Sequence, residues 1–202
     1  MPAEVISYFL KNSDQKLRLK FQIVLQCAPF LKRLKISSVI TVENTLYEDL
    51  KEIFQEMDIS YRKLCSIEEK YLVLFFRAKD LQAHLTRPDI RGLLEKFGYY
   101  SSDLERCLSR LSERVRVFSE QGMGFPHEIG AFLGYPLEDV SGFIENEGKR
   151  YRMIGYWKVY GNVSEARMTF SAYDRAKDRA VNEFLLGKSI REIAEKNCEI
   201  EY

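Results

Sequence analysis

Five side chains in the C-terminal half of this chain could do chemistry together: His127, Glu128, Trp157, Lys158 and Tyr160. A neutral imidazole can act as a general base, a hydrogen-bond donor or a ligand to a metal or haem. Glu128, next to it, could tune that imidazole or serve only as an acid in the first turn of a helix. Lys158 stands between Tyr156 and Tyr160, where it could bind an anion beneath aromatic rings or lay its stem across them to reach solvent. The expected site lies where the Gly124–Glu128 turn meets the Gly155–Tyr160 strand, and a small molecule or cofactor is its expected occupant. Two other readings stand beside it. One is an interaction or regulatory protein with no chemistry of its own, and the other is metal or haem handling through His127. Enzymatic activity is left open.

Glycine marks the same region. Eight of the 11 glycines fall between Gln121 and Gly161, and the only tryptophan sits among them. Such a cluster signals positive φ angles or close backbone approaches, which sites and tight packing both require. Gly122 and Gly124 are expected to let the chain leave a long helix and reverse. Gly155 leaves a gap that a neighbouring helix or a flat ligand could enter. If Pro126 opens a helix, His127 lies at the positive end of its dipole and is expected to be neutral near pH 7.

Several classes are excluded. No Ser-His-Asp order, HExxH, Cys/His cluster or Walker loop appears. His84 has only Asp80 at helical spacing and reads as a surface histidine. Residues 126–147 have a helix-turn-helix flavour, but the second helix carries Glu138, Asp139, Glu145 and Glu147 and would be repelled by phosphates, so nucleic acid is not the expected partner. Lys+Arg 31 against Asp+Glu 30 leaves a formal net charge of +1, and no global field points to a polyanion. The start of the chain lacks the basic and apolar blocks of a signal sequence, and the run Leu72–Phe76 is too short to span a membrane. Four scattered cysteines without a CxxC pair fit reduced thiols in a cytoplasmic protein.

The elements that must hold the site follow from periodicity. Helices are expected over 3–11, from Asp14 to Pro29, from a Thr45/Glu48 capping box onwards, over 79–86, from Pro88 to Gly98, from a Ser102/Glu105 capping box to Gln121, over 126–133, 136–147 and 164–186, and after Ser189. On the helix 164–186, Phe170, Tyr173, Ala180, Phe184 and Leu185 are expected to share the buried face. The fold class is α+β, with a small mixed sheet of about four strands near 36–42, 59–65, 71–77 and 151–160 and helices mostly on one side. The strands at 59–65 and 71–77 read as a hairpin, and the apolar run in the second makes it central. One domain over 1–202 is expected, with a helical insertion at about 78–148.

The string GFPHEIGAFLGYPLEDVSGFIENEG followed by GYWKVYG resembles the signature of a family of small proteins from anaerobic Gram-positive bacteria, the uncharacterised domain-of-unknown-function family number 3793. VLQCAPFLKRLKISSVITV resembles that family's N-terminal block. The resemblance implies a full-length domain and brings no activity, cofactor or catalytic residue with it.

Overall fold

Asp14 starts the first long helix by accepting from the backbone N–H groups of Lys16 and Leu17, the donors a helix start leaves unpaired. That helix, α2 (Gln15–Leu31), follows α1 (Ala3–Leu10) in a computed structural model that describes residues 3–122 and 124–195. Pro29 does not end α2, which runs two residues further; Arg33 then turns the chain at φ 59°. β1 (Ser37–Glu43) follows, then α3 (Asp49–Ile53) after a single 3₁₀ turn. The expected Thr45/Glu48 box does not form, and no side chain caps α3.

β2 (Ser60–Ile67) and β3 (Lys70–Phe76) form the expected hairpin, and β3 is the central strand of an antiparallel sheet in the order β1-β3-β2. Its apolar run is buried because both faces are covered. Val73 and Phe75 join Ile40 and Val42 against α2, while Leu74 and Phe76 face the opposite layer with Leu64. The expectation of helices mostly on one side is corrected here. Helices sandwich the sheet.

The second layer is built from α4 (Ala78–Leu85), α5 (Pro88–Glu95) and α6 (Leu104–Gln121), then α7 (Ile129–Phe132) and α8 (Leu137–Glu145). α6 starts one residue later than the sequence suggests: Asp103, not Ser102, accepts from the Arg106 N–H, and Glu105 instead pairs with Arg62. His84 is also corrected. It is half-buried, and its Nε2–H donates to the Ala131 carbonyl at 2.9 Å, tying α4 to α7. Burial holds its pKa below the ordinary 6.5.

The largest difference lies at 151–160. Instead of a fourth strand of the sheet, this segment is a separate two-stranded hairpin, β4 (Met153–Ile154) with β5 (Lys158–Val159). The long helix α9 (Val163–Leu185) packs behind it and along α2, and α10 (Ile190–Ala194) opens with the predicted Ser189/Glu192 capping box. Val181 takes the buried place on α9 that the sequence assigned to Leu185, which is exposed. Among the described residues, Cys27, Cys65 and Cys107 are free and buried, and Cys198 lies outside them. No helix among the described residues is long and apolar enough to cross a membrane.

Candidate functional site

α6 ends where Gly122 adopts φ 66° and its N–H bonds back to the Phe118 carbonyl, a left-handed stop that a side chain would strain. The chain then reverses through Gly124 and Pro126. His127 and Glu128 do not sit in the opening turn of an established helix; they form the turn before the four-residue α7, with Ile129 N–H bonded to the Pro126 carbonyl at 3.0 Å. The two neighbours diverge from there. His127 faces outward with its ring between Phe125 (5.2 Å between centroids) and Phe143 (4.9 Å). Glu128 is fully buried, accepting from the Arg114 guanidinium and from the Tyr99 hydroxyl at 3.1 Å.

His127 does stay on the neutral side, for a different reason from the one the sequence suggested. Desolvation lowers its pKa, and the Glu128 charge opposes that shift. Among the described residues, no protein group hydrogen-bonds to its ring nitrogens.

The hairpin β4–β5 forms the opposite wall. Trp157 is 9% exposed. Its indole stacks on Tyr135 (5.0 Å, 28°) and meets the edge of Phe170 at 4.5 Å. Its N–H donates to Asp139 Oδ2 at 2.6 Å, while Oδ1 of the same buried carboxylate accepts from the backbone N–H groups of Tyr160 (2.7 Å) and Gly161 (2.9 Å). Asp139 therefore fastens α8 to both ends of β5 and fixes the plane of the indole. Nothing in the sequence singled it out for this; it looked like one more acid on a solvated helix.

Between the two walls lies a hollow of about 340 Å³ lined by Phe125, His127, Tyr135, Phe143, Trp157 and Lys158, among others. Lys158 reaches over the rings of Phe143 (5.6 Å) and Tyr151 (4.9 Å), not those of Tyr156 and Tyr160, and donates to the Gly148 carbonyl at 2.8 Å. Of the five residues expected at the site, the structure brings together His127, Trp157 and Lys158. Glu128 points into the protein, and Tyr160 packs on Gly142 outside the lining of the hollow, its hydroxyl buried and without a partner among the described residues. The gap at Gly155 is filled by a helix: a Cβ there would run into the Phe170 ring of α9.

Phe125, Tyr135 and Phe143 were missed as lining residues. Their aromatic character was visible, but their convergence depends on the reversal at Gly122 and the turn before α8, which no periodicity encodes. Larger grooves exist elsewhere, notably one of about 750 Å³ beside α10. Several of its charges are already engaged, Arg191 with Glu56, Glu52 with Lys16 and Glu192 with Ser189, and fewer aromatic rings line it than line the smaller hollow. Among the described residues, no group of three or more His, Cys, Asp or Glu side chains gathers in a way that could hold a metal ion.

No curated protein and no solved structure matches this chain. A family model described as "Protein of unknown function (DUF3793)" matches residues 23–194, a span that runs from within α2 to the end of α10 and includes the whole hollow. With most of its length matched, from the sheet through the glycine-rich corner, the chain belongs to the DUF3793 family of proteins of unknown function.

Proposed function

We propose that this protein binds a small, flat, largely apolar molecule in the hollow between the His127 turn and the β4–β5 hairpin. The observation that carries the reading is the lining: aromatic rings, with the indole fixed by its hydrogen bond to Asp139 and its stack on Tyr135, around an imidazole whose nitrogens have no partner among the described residues. Such pairing of a preformed apolar wall with a few free polar groups is the ordinary anatomy of a ligand pocket. A cavity of about 150 Å³ holds benzene, so about 340 Å³ suits one or two rings. The reading treats the chain as one cytoplasmic domain in which the helices of 78–148 are an insertion that supplies one wall of the pocket.

Trp157 supplies the test. As the only tryptophan in the chain and a wall of the hollow, it reports occupancy without a label. Titration with a panel of nucleobases, flavins and simple aromatic compounds is expected to quench its emission and raise the melting temperature for at least one class. A panel that changes neither would sink the proposal. A second reading, an interaction surface, draws on Ile154 (62% exposed) and Phe125 (42%) at the rim of the hollow. It is favoured if the protein purifies as a stable assembly in which Trp157 is shielded.

A further inference from the structure

We infer that the occupant of this hollow is an aromatic carboxylate, an inference that rests on the ligand-binding reading and adds the chemistry of the ligand. Few polar groups in the walls are still free to meet a ligand. Asp139, the one carboxylate in the lining, already accepts three N–H donors, from Trp157, Tyr160 and Gly161. The indole N–H is spent in that same set. The Tyr156 hydroxyl donates outward to Asp174 at 2.9 Å. What remains is chiefly donor capacity, beside one acceptor nitrogen of the neutral imidazole and the Tyr135 hydroxyl, which can give or accept. Lys158 uses one ammonium proton on the Gly148 carbonyl and has two left, and His127 in either neutral tautomer has one ring N–H.

Placement narrows the choice. The imidazole and the ammonium both sit against the Phe143 ring, at 4.9 Å and 5.6 Å, so the free donors border one aromatic wall. Among the described residues no carboxylate pairs with Lys158. A second ammonium, Lys35, which has no carboxylate partner among the described residues and stands outside the lining, lies 5.2 Å over the ring of Tyr135, which lines the hollow. The rings select a flat apolar body, and the donors and unpaired positive charge select an acceptor-rich, anionic end. A cationic ligand would meet Lys158 without a free carboxylate to receive it.

The test is a series on one ring: phenylacetate, phenylacetamide and phenethylamine, each titrated against Trp157 emission, which none of them obscures. The expected order is acid over amide over amine, with the acid at least tenfold tighter than the amide. Lys158→Met should bring acid and amide within about threefold, and Lys158→Arg should preserve the preference. The inference is overturned if the amine binds as well as the acid, if Lys158→Met leaves the acid-to-amide ratio unchanged, or if none of the three binds. That last result, set beside a neutral flat compound that does quench Trp157, removes the carboxylate and leaves the pocket standing. No response to any compound in either series removes both.

Discussion

The sheet sandwich and the aromatic hollow use the same kinds of residue to opposite effect. Around β1-β3-β2, the rings of Phe21, Phe30 and Phe75 are buried between layers that seal both faces. Polar groups there serve as fasteners: Arg77, itself buried, donates to the carbonyls of Phe30 and Leu31 at the end of α2, and Ser37 Oγ bonds to the Phe132 carbonyl at 2.7 Å. At the hairpin, Trp157 and Tyr135 have long-helix support on one side only, from α9, and the other side is closed by a turn and two short helices, one of which carries Phe143. An aromatic cluster between two long layers becomes core. The same cluster, backed on one side and held by a buried carboxylate, leaves room.

If that contrast is right, the hollow depends more on Asp139 than on any ring. Asp139→Leu strands three N–H donors in a buried place and should cost about 3–5 kcal/mol. Asp139→Asn keeps acceptor capacity on one oxygen and should cost less. Urea unfolding gives the magnitude, and Trp157 emission should shift to the red as the indole loses its anchor. A loss below about 1 kcal/mol for Asp139→Leu would mean that the hairpin is held by ring packing alone.

Gly155 tests the packed side. Its φ is not in the left-handed region, so the objection to a side chain there is steric: an alanine methyl meets the Phe170 ring. Gly155→Ala should cost about 1–3 kcal/mol. Shortening the neighbour in the double variant Gly155→Ala/Phe170→Leu should recover part of it, giving a coupling energy of about 1 kcal/mol in a double-mutant cycle. Strict additivity would show that the two residues do not compete for one space.

How much of this the sequence disclosed follows the same division. The hairpin β2–β3, its central place and the long helices were readable because period-2 and period-3.6 patterns record which side faces a layer. At 151–160 extended structure was legible: Met153, Trp157 and Val159 pack together, while Ile154, Tyr156 and Lys158 join Trp157 in lining the hollow. Its extent was not, since a hairpin reversing at Gly155–Trp157 keeps the alternation of a continuous strand. His127 and Trp157 were picked by rarity, and they do share one cavity. The fates of Glu128 and Asp139 were hidden because a carboxylate on an amphipathic segment looks the same whether it meets solvent, Arg114 or an indole N–H. Only three-dimensional closure separates these cases.

Lys35 gives a smaller effect of the opposite sign. Half-buried and without a carboxylate partner among the described residues, its amine is pushed down from the ordinary 10.5 to about 8 by desolvation. The unfolded chain thus binds more protons between pH 8 and 10.5, and stability rises with pH across that window as the penalty of a buried charge is relieved. Lys35→Met should be more stable than the wild type at pH 7, by at most about 3 kcal/mol and nearer 1–2 once relaxation and water are allowed for. The gap should close as pH rises from 8 to 10.5. Comparison of the two proteins between pH 8 and 10.5 keeps below the range of the Cys27 thiol, which burial pushes up to about 12 against the nearby Lys35 charge. A gap constant with pH would show that Lys35 is well solvated and that its charge does not reach Tyr135.

The smallest expected effect on stability carries the most weight for function. His127 is exposed, and no hydrogen bond to its ring from a described residue is lost on substitution. The indole's surroundings (Tyr135, Phe170 and Asp139) do not include it. His127→Ala should therefore change the unfolding free energy by less than about 0.5 kcal/mol and leave the emission maximum of Trp157 where it was. In a core, an aromatic-sized side chain is not removed so cheaply, because a cavity remains and the cost is about 3–5 kcal/mol. A residue that is inert for folding, yet whose loss weakens quenching of Trp157 by a bound aromatic at least tenfold, belongs to a site. If His127→Ala instead destabilises the protein by more than about 2 kcal/mol, the imidazole is part of the packing between Phe125 and Phe143, and the hollow is a seam in the core.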